Sequence, residues 1–119
     1  MPKHTFIVET DQPDANGDIV RLDGVQFGAI KMLHNFRNHE IIDSTPSVFQ
    51  DGNCLKCTAE VPVKFLDKYP AIGFTVNKYT TNPDGSKTFE SITLYSIGLC
   101  DQPNPNPSIK TIREQCPDT

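Results

Sequence analysis

The run Ile92-Thr93-Leu94-Tyr95-Ser96-Ile97-Gly98-Leu99 carries apolar side chains on both faces when it is read as a strand. Such a strand needs cover on both sides, so it belongs inside a barrel or between two layers. The stretch that holds it, 87–100, follows a second extended stretch, 72–80. Between them Asn82-Pro83-Asp84-Gly85-Ser86 is a turn signal, and the three together predict a hairpin. Ile72, Phe74 and Val76 are expected to point inward, with either Ile92 and Leu94 or the alternate pair Ile97 and Leu99.

The rest of the chain reads mostly as short strands as well. Residues 5–10 form a first strand, ended by a turn-rich run in which Asn16-Gly17 tolerates positive φ. Residues 19–22 resume an extended segment. Over 25–33 the apolar Val25, Ala29, Met32 and Leu33 fall near i, i+4, i+7 and i+8, which predicts a helix. Stretches 41–50 and 54–63 predict a second hairpin over Asp51-Gly52-Asn53. Pro103, Pro105 and Pro107 impose an extended, polyproline-like segment before a short element at 108–113. With 119 residues, ten prolines and seven glycines, the expectation is one mainly β domain over 1–119, a β-barrel with one or two short helices. Its C-terminal extension, 101–119, is expected to be dispensable, with residues 5–100 folding alone.

Charge and cysteines narrow the function. A formal net charge of −4 argues against nucleic acid, whose phosphates call for a Lys/Arg-rich face. No run resembles a membrane span or the apolar part of a signal peptide, so a soluble protein made inside the cell is expected. Cys54 and Cys57 form a C-x-x-C, a spacing found in redox and zinc sites. At period two, however, Leu55, Cys57, Ala59 and Val61 share one face, and Cys54 falls on the other. Cys57 is therefore expected in the core and Cys54 at a surface or edge, with no disulfide, metal or cofactor. A four-cysteine zinc module that adds Cys100 and Cys116 would need the strand to bulge.

Three ordered stretches resemble the prohead maturation proteases of tailed bacteriophages. Asp14-Ala15-Asn16-Gly17-Asp18-Ile19-Val20 is similar to the family turn D-x-x-G-D-x-V. Ala71-Ile72-Gly73-Phe74 stands where the family has S-I-G-F/Y. Residues 92–99, with Pro103, Asn106 and Pro107, resemble its I-x-L-x-E-V-S-L-V strand and closing P-x-N-P. Asn38-His39-Glu40 looks like its N-H-D, with His34 a weaker match. The resemblance spans roughly residues 5–113 and implies a herpesvirus-protease-like fold, a closed barrel in which a serine attacks, a histidine takes its proton and an acid orients the histidine.

Carried over by position, the resemblance keeps the histidine as His39 but puts Ala71 at the nucleophile and Ser96 at the acid. A methyl group cannot attack a carbonyl, and a hydroxyl cannot hold an imidazole as a carboxylate does. The family helix before the serine is also cut to Lys64-Phe65-Leu66-Asp67-Lys68-Tyr69-Pro70. Those residues would rise only about 10 Å as a helix, and Pro70 is expected to end it. Ser44, Ser47, Ser91, Ser108, Cys54 and Cys100 are other nucleophile types, none in an activating sequence context. His4 has no evident partner. A hydrolytic metal site from His34, His39 and Glu40 or Asp43 has no further support.

The sequence thus predicts a non-catalytic structural protein, an auxiliary or cement protein that binds the major capsid protein and resides in the virion capsid after synthesis in the host cytoplasm. The expected contacts are Thr5, Pro103, Pro105, Pro107, Ile109 and Ile112, with residues 1–5 and 101–119 as the docking segments. The alternative is a divergent, active prohead maturation protease that uses another nucleophile.

Overall fold

A strand with apolar residues on both faces finds neighbours on both edges, and β8 (Lys87–Cys100) does so over most of its length. The computed structural model describes residues 2–117. In chain order the strands are β1 (Lys3–Thr10), β2 (Ile19–Val20), β3 (Val25–His34), β4 (Ile41–Asp43), β5 (Ser47–Asp51), β6 (Cys54–Glu60), β7 (Tyr69–Thr81) and β8. A single short helix, α1 (Ile112–Gln115), follows. On one side β8 pairs antiparallel with β7; on the other it pairs in parallel with β2 and then β3, and β4 completes that sheet. The smaller sheet has the order β1-β6-β5. The fold is mainly β, and its larger sheet curls into a half-barrel.

Both hairpins form where the turn residues place them, β5–β6 over Gly52 at φ 61° and β7–β8 over Gly85 at φ 88°. The first half of the expected 41–50 strand behaves differently. It splits off as β4 and pairs with β3 in the other sheet. The expected helix over 25–33 is corrected outright, since those residues are β3. Val25 and Phe27 sit opposite Ile92 and Leu94, and Met32 sits opposite Ile97. Four apolar residues at helical spacing also fit a strand with a bulge, and the ladder is interrupted between Phe27 and Lys31. Filling the free edge of β8 outweighs a weak helical stripe that contains Gly28.

The core lies between the two sheets. Phe6 and Val8 of β1, Leu55, Cys57 and Ala59 of β6, and Ile92, Leu94, Ile97 and Leu99 of β8 are all at most 2% exposed. The phase read for β6 holds, and Cys54 lies on the opposite face from Cys57, partly covered. The two alternatives for β8 are both inward at once. Gly73 pairs with Ser96 and Phe74 with Leu94, so Tyr95 has no partner on β7. That extra residue flips the alternation, which turns Ile92 and Leu94 inward before it and Ile97 and Leu99 after it. Val76 faces the same side as its partner Ile92, yet it is 42% exposed and is not part of the core.

The C-terminal segment is the largest correction. Ile109 is 2% exposed and Ile112 is fully buried, so neither is free to contact a partner. Asn106, also buried, donates through Nδ2 to Thr10 Oγ1 and Glu9 Oε1, and its Oδ1 accepts from Ser108 N and Oγ. A Thr111/Glu114 capping box starts α1, and Arg113 N donates to Leu66 O at 2.8 Å. Ile109 and Ile112 therefore pack inward from this segment, which is tied to β1 and to the loop before β7 by hydrogen bonds. Three prolines fix the approach of the segment; they do not detach it. Pro103, Pro105, Pro107 and Thr5 remain exposed, although the Thr5 hydroxyl is bonded to that of Thr58 at 2.8 Å. Met1, Asp118 and Thr119 of the expected contact lie outside the described residues. Pro70 does not end a helix either: it is a buried member of β7, and the stretch before it makes only a 3-10 turn at Val63–Phe65.

Candidate functional site

The β7–β8 register assembles a site on the outer face of the large sheet. Ala71 pairs with Gly98 and Gly73 with Ser96, so these four share one face, while the Ile72–Ile97 pair between them belongs to the other. Lys31 of β3 lies opposite Ser96 on its other side. Lys31, Ser96 and Gly73 thus form a row across three strands. Above them is a groove of about 650 Å³, walled by Phe36, Asn38, Phe74 and Tyr95. That volume is in the range of small-ligand sites, ~300–1,000 Å³.

The two glycines are needed there. A Cβ on Gly73 would overlap Ser96 Oγ, and one on Gly98 would run into the Phe36 ring. Phe36 comes from the turn between β3 and β4, where Asn35 (φ 52°) and Phe36 (φ 59°) both take the left-handed conformation. For a bulky residue this conformation is strained and persists only when the surroundings fix it.

Those surroundings are a polar staple at the end of β8. Asp101 N donates to Asn35 Oδ1, and Asn35 Nδ2 donates to Asp101 Oδ2, both at 3.0 Å. Lys68 Nζ meets Asp101 Oδ1 at 2.6 Å. His34 faces a carboxylate at each ring nitrogen, Glu40 at 3.4 Å and Asp101 at 3.2 Å, and its ring lies 5.2 Å from that of Phe65. The Lys68 ammonium, with the Asn35 amide and His34, holds the Asp101 carboxyl well below the usual carboxylate range.

The expected trio is only partly gathered. Ala71 and Ser96 are diagonal neighbours on one face. His39 is exposed in the β3–β4 turn, and its neighbour Asn38, rather than His39, lines the groove. The histidine that does meet carboxylates is His34. Its Asp101 partner is 67 positions away, and no local motif marks that pairing. A carboxylate on each side of one ring does not converge on a point, and among the described residues no group of three His, Cys, Asp or Glu is placed to hold a metal. Cys54 and Cys57 diverge in the same sense. Burial, with Asp43 nearby, pushes the Cys57 thiol up to about 12, and burial also raises Cys100 and Cys116. Thiolates at these positions are disfavoured. Ser108 Oγ is engaged by Asn106, and Ser91 Oγ accepts from Asn77.

The chain matches no protein-family model, no curated protein and no solved structure.

Proposed function

We propose that the chain is a non-catalytic protein-binding domain: an auxiliary capsid protein of a tailed phage, descended from a prohead protease of herpesvirus-protease-like fold, that docks on the major capsid protein. One observation carries the binding role. On the inner face of the large sheet an apolar strip of β7 is uncovered, with Val76 at 42% and Tyr79 at 54% exposure, and Phe27 of β3 is 51% exposed on the far side of the buried Ile92 and Leu94. Register puts Phe27 opposite Leu94, Val76 opposite Ile92 and Tyr79 opposite Phe89. Phe89 in turn packs edge-on against Phe74, with ring centroids 5.9 Å apart. The strip is thus continuous with the core-facing surface. Exposed apolar side chains grouped as Val76 and Tyr79 are on β7 are of the kind that marks sites of protein contact. The non-catalytic reading is supported by the side chains at the two positions, a methyl at Ala71 that cannot attack and a hydroxyl at Ser96 that cannot hold an imidazole as a carboxylate does.

The test is cosedimentation of the purified chain with shells assembled from the major capsid protein of the same source. Wild type is expected to pellet with the shells, while Tyr79→Ser and Val76→Asp stay in the supernatant. A wild-type chain that stays soluble at micromolar concentrations defeats the capsid assignment. Labelling of any serine by a fluorophosphonate probe in the folded protein defeats the non-catalytic one.

A further inference from the structure

Ser96 is 3% exposed, and its Oγ is the floor atom of the outer groove with no hydrogen-bond partner. Buried hydroxyls are nearly always satisfied, so an orphan beside a groove points to a partner that arrives from outside. The backbone gives that hydroxyl its room, since any residue larger than glycine at position 73 would fill it. The cover is Phe36, 38% exposed and held in a strained left-handed turn rather than sunk into the core. Charge around the groove is one-sided. Lys31 is its only ionic lining residue, and it makes no ion pair among the described residues. One ammonium, one hydroxyl and the Asn38 amide suit a monoanion, whereas a phosphate is held by a larger set of donors.

We propose that this groove binds a monocarboxylate that carries an apolar or aromatic group. The carboxylate pairs with Lys31, the Ser96 hydroxyl donates to it once the Phe36 ring gives way, and the apolar body lies against Tyr95. A free organic acid and the C-terminal residue of a polypeptide present the same chemistry. The inference rests on the groove alone and is independent of the capsid assignment.

The experiment is a titration of the ¹⁵N-labelled full chain, followed by NMR, with N-acetylphenylalanine, its carboxamide, and a hexapeptide ending in phenylalanine with a free C-terminus. The acid is expected to shift the amide resonances of Lys31, Gly73 and Ser96, and the carboxamide to bind about tenfold more weakly. Lys31→Met should bring the acid down to the level of the carboxamide. Ser96→Ala should raise the thermal midpoint yet weaken acid binding, two changes that a purely structural serine would not combine. Phe36→Gly should tighten binding. A peptide that binds more tightly than the free acid identifies a chain end as the source; equal binding identifies the small acid. The proposal fails if acid and carboxamide titrate alike, if the shifts fall elsewhere, or if Ser96→Ala binds undiminished.

Discussion

The side-chain amide of Gln115 grips the backbone of Ile7 at both ends: Oε1 accepts from Ile7 N at 2.6 Å, and Nε2 donates to Ile7 O at 3.1 Å. A carboxamide here does the work of a neighbouring strand, so one residue of α1 satisfies part of the outer edge of β1. Gln115→Leu leaves both backbone groups of Ile7 unmatched and is expected to cost about 1–3 kcal/mol. Urea denaturation of the two proteins side by side measures it, and an unchanged midpoint would mean that the edge is satisfied by water.

Removal of residues 108–119 is expected to unfold the protein, because Ile109 and Ile112 leave the core with them. The single change Ile112→Ala should cost about 2–5 kcal/mol. Far-ultraviolet circular dichroism of the truncated chain decides the matter; a native spectrum with a cooperative melt would show that the segment is an accessory.

Gly98→Ala should displace the Phe36 ring, since the added methyl occupies its place. The ring is partly exposed and can swing outward, so the expected cost is modest, about 1–3 kcal/mol. Loss of ring-current shifts on the Gly73 and Gly98 amides would report the movement, and unchanged shifts would contradict it.

Two carboxylates give pH effects of opposite sign. Burial raises the Glu9 carboxyl above its ordinary 4.5, so the folded state holds that proton more tightly than the unfolded one. The Glu9 contribution therefore falls as pH rises from 4.5 through its raised value. Glu9→Gln, which keeps an acceptor for Thr10 N and Asn106 Nδ2, should raise the thermal midpoint at pH 7 and change it little at pH 4. A midpoint that drops at pH 7 would mean that the charge itself is needed.

Asp101 works the other way. Its carboxyl is held low, so the stability it lends is present above the ordinary carboxylate value and is lost only as pH falls through its depressed one. Lys68→Met removes the largest cause of that depression and should move the acid-unfolding midpoint to higher pH. No movement would place the main support of Asp101 in Asn35 and His34.

What the sequence disclosed was local. The turns at Gly52 and Gly85 depend on neighbouring residues, and the β6 alternation with Cys57 inward is a period-two pattern within one strand. β3 is ambiguous in the sequence because four apolar residues at helical spacing fit either a short helix or a bulged strand, and only the vacant edge of β8 decides between them. The tail misleads because its prolines suggest a stiff appendage, whereas the burial of Ile109 and Ile112 follows from surfaces contributed by β1 and by the loop before β7. Ala71 and Ser96 were found as positions, and their adjacency depends on the Tyr95 bulge. The His34–Asp101 contact and the orphan Ser96 hydroxyl leave no mark along the chain, since each exists only after distant strands have paired.

The pairing of β3 with β8 is parallel, and it joins Val25 to Ile92 and His34 to Leu99. Parallel partners cannot be brought together by a tight turn, so this ladder forms only after a long loop closes. During synthesis β1 and β3 leave the ribosome long before β8 and α1, and their apolar faces stay open until then. The β5–β6 hairpin has local partners and can close early. Until Ile109 and Ile112 are made, translation therefore yields an incomplete half-barrel. A nascent chain halted before Ile112 would present its uncovered strands to chaperones and to its own copies, so the fold can close only once this segment has been made.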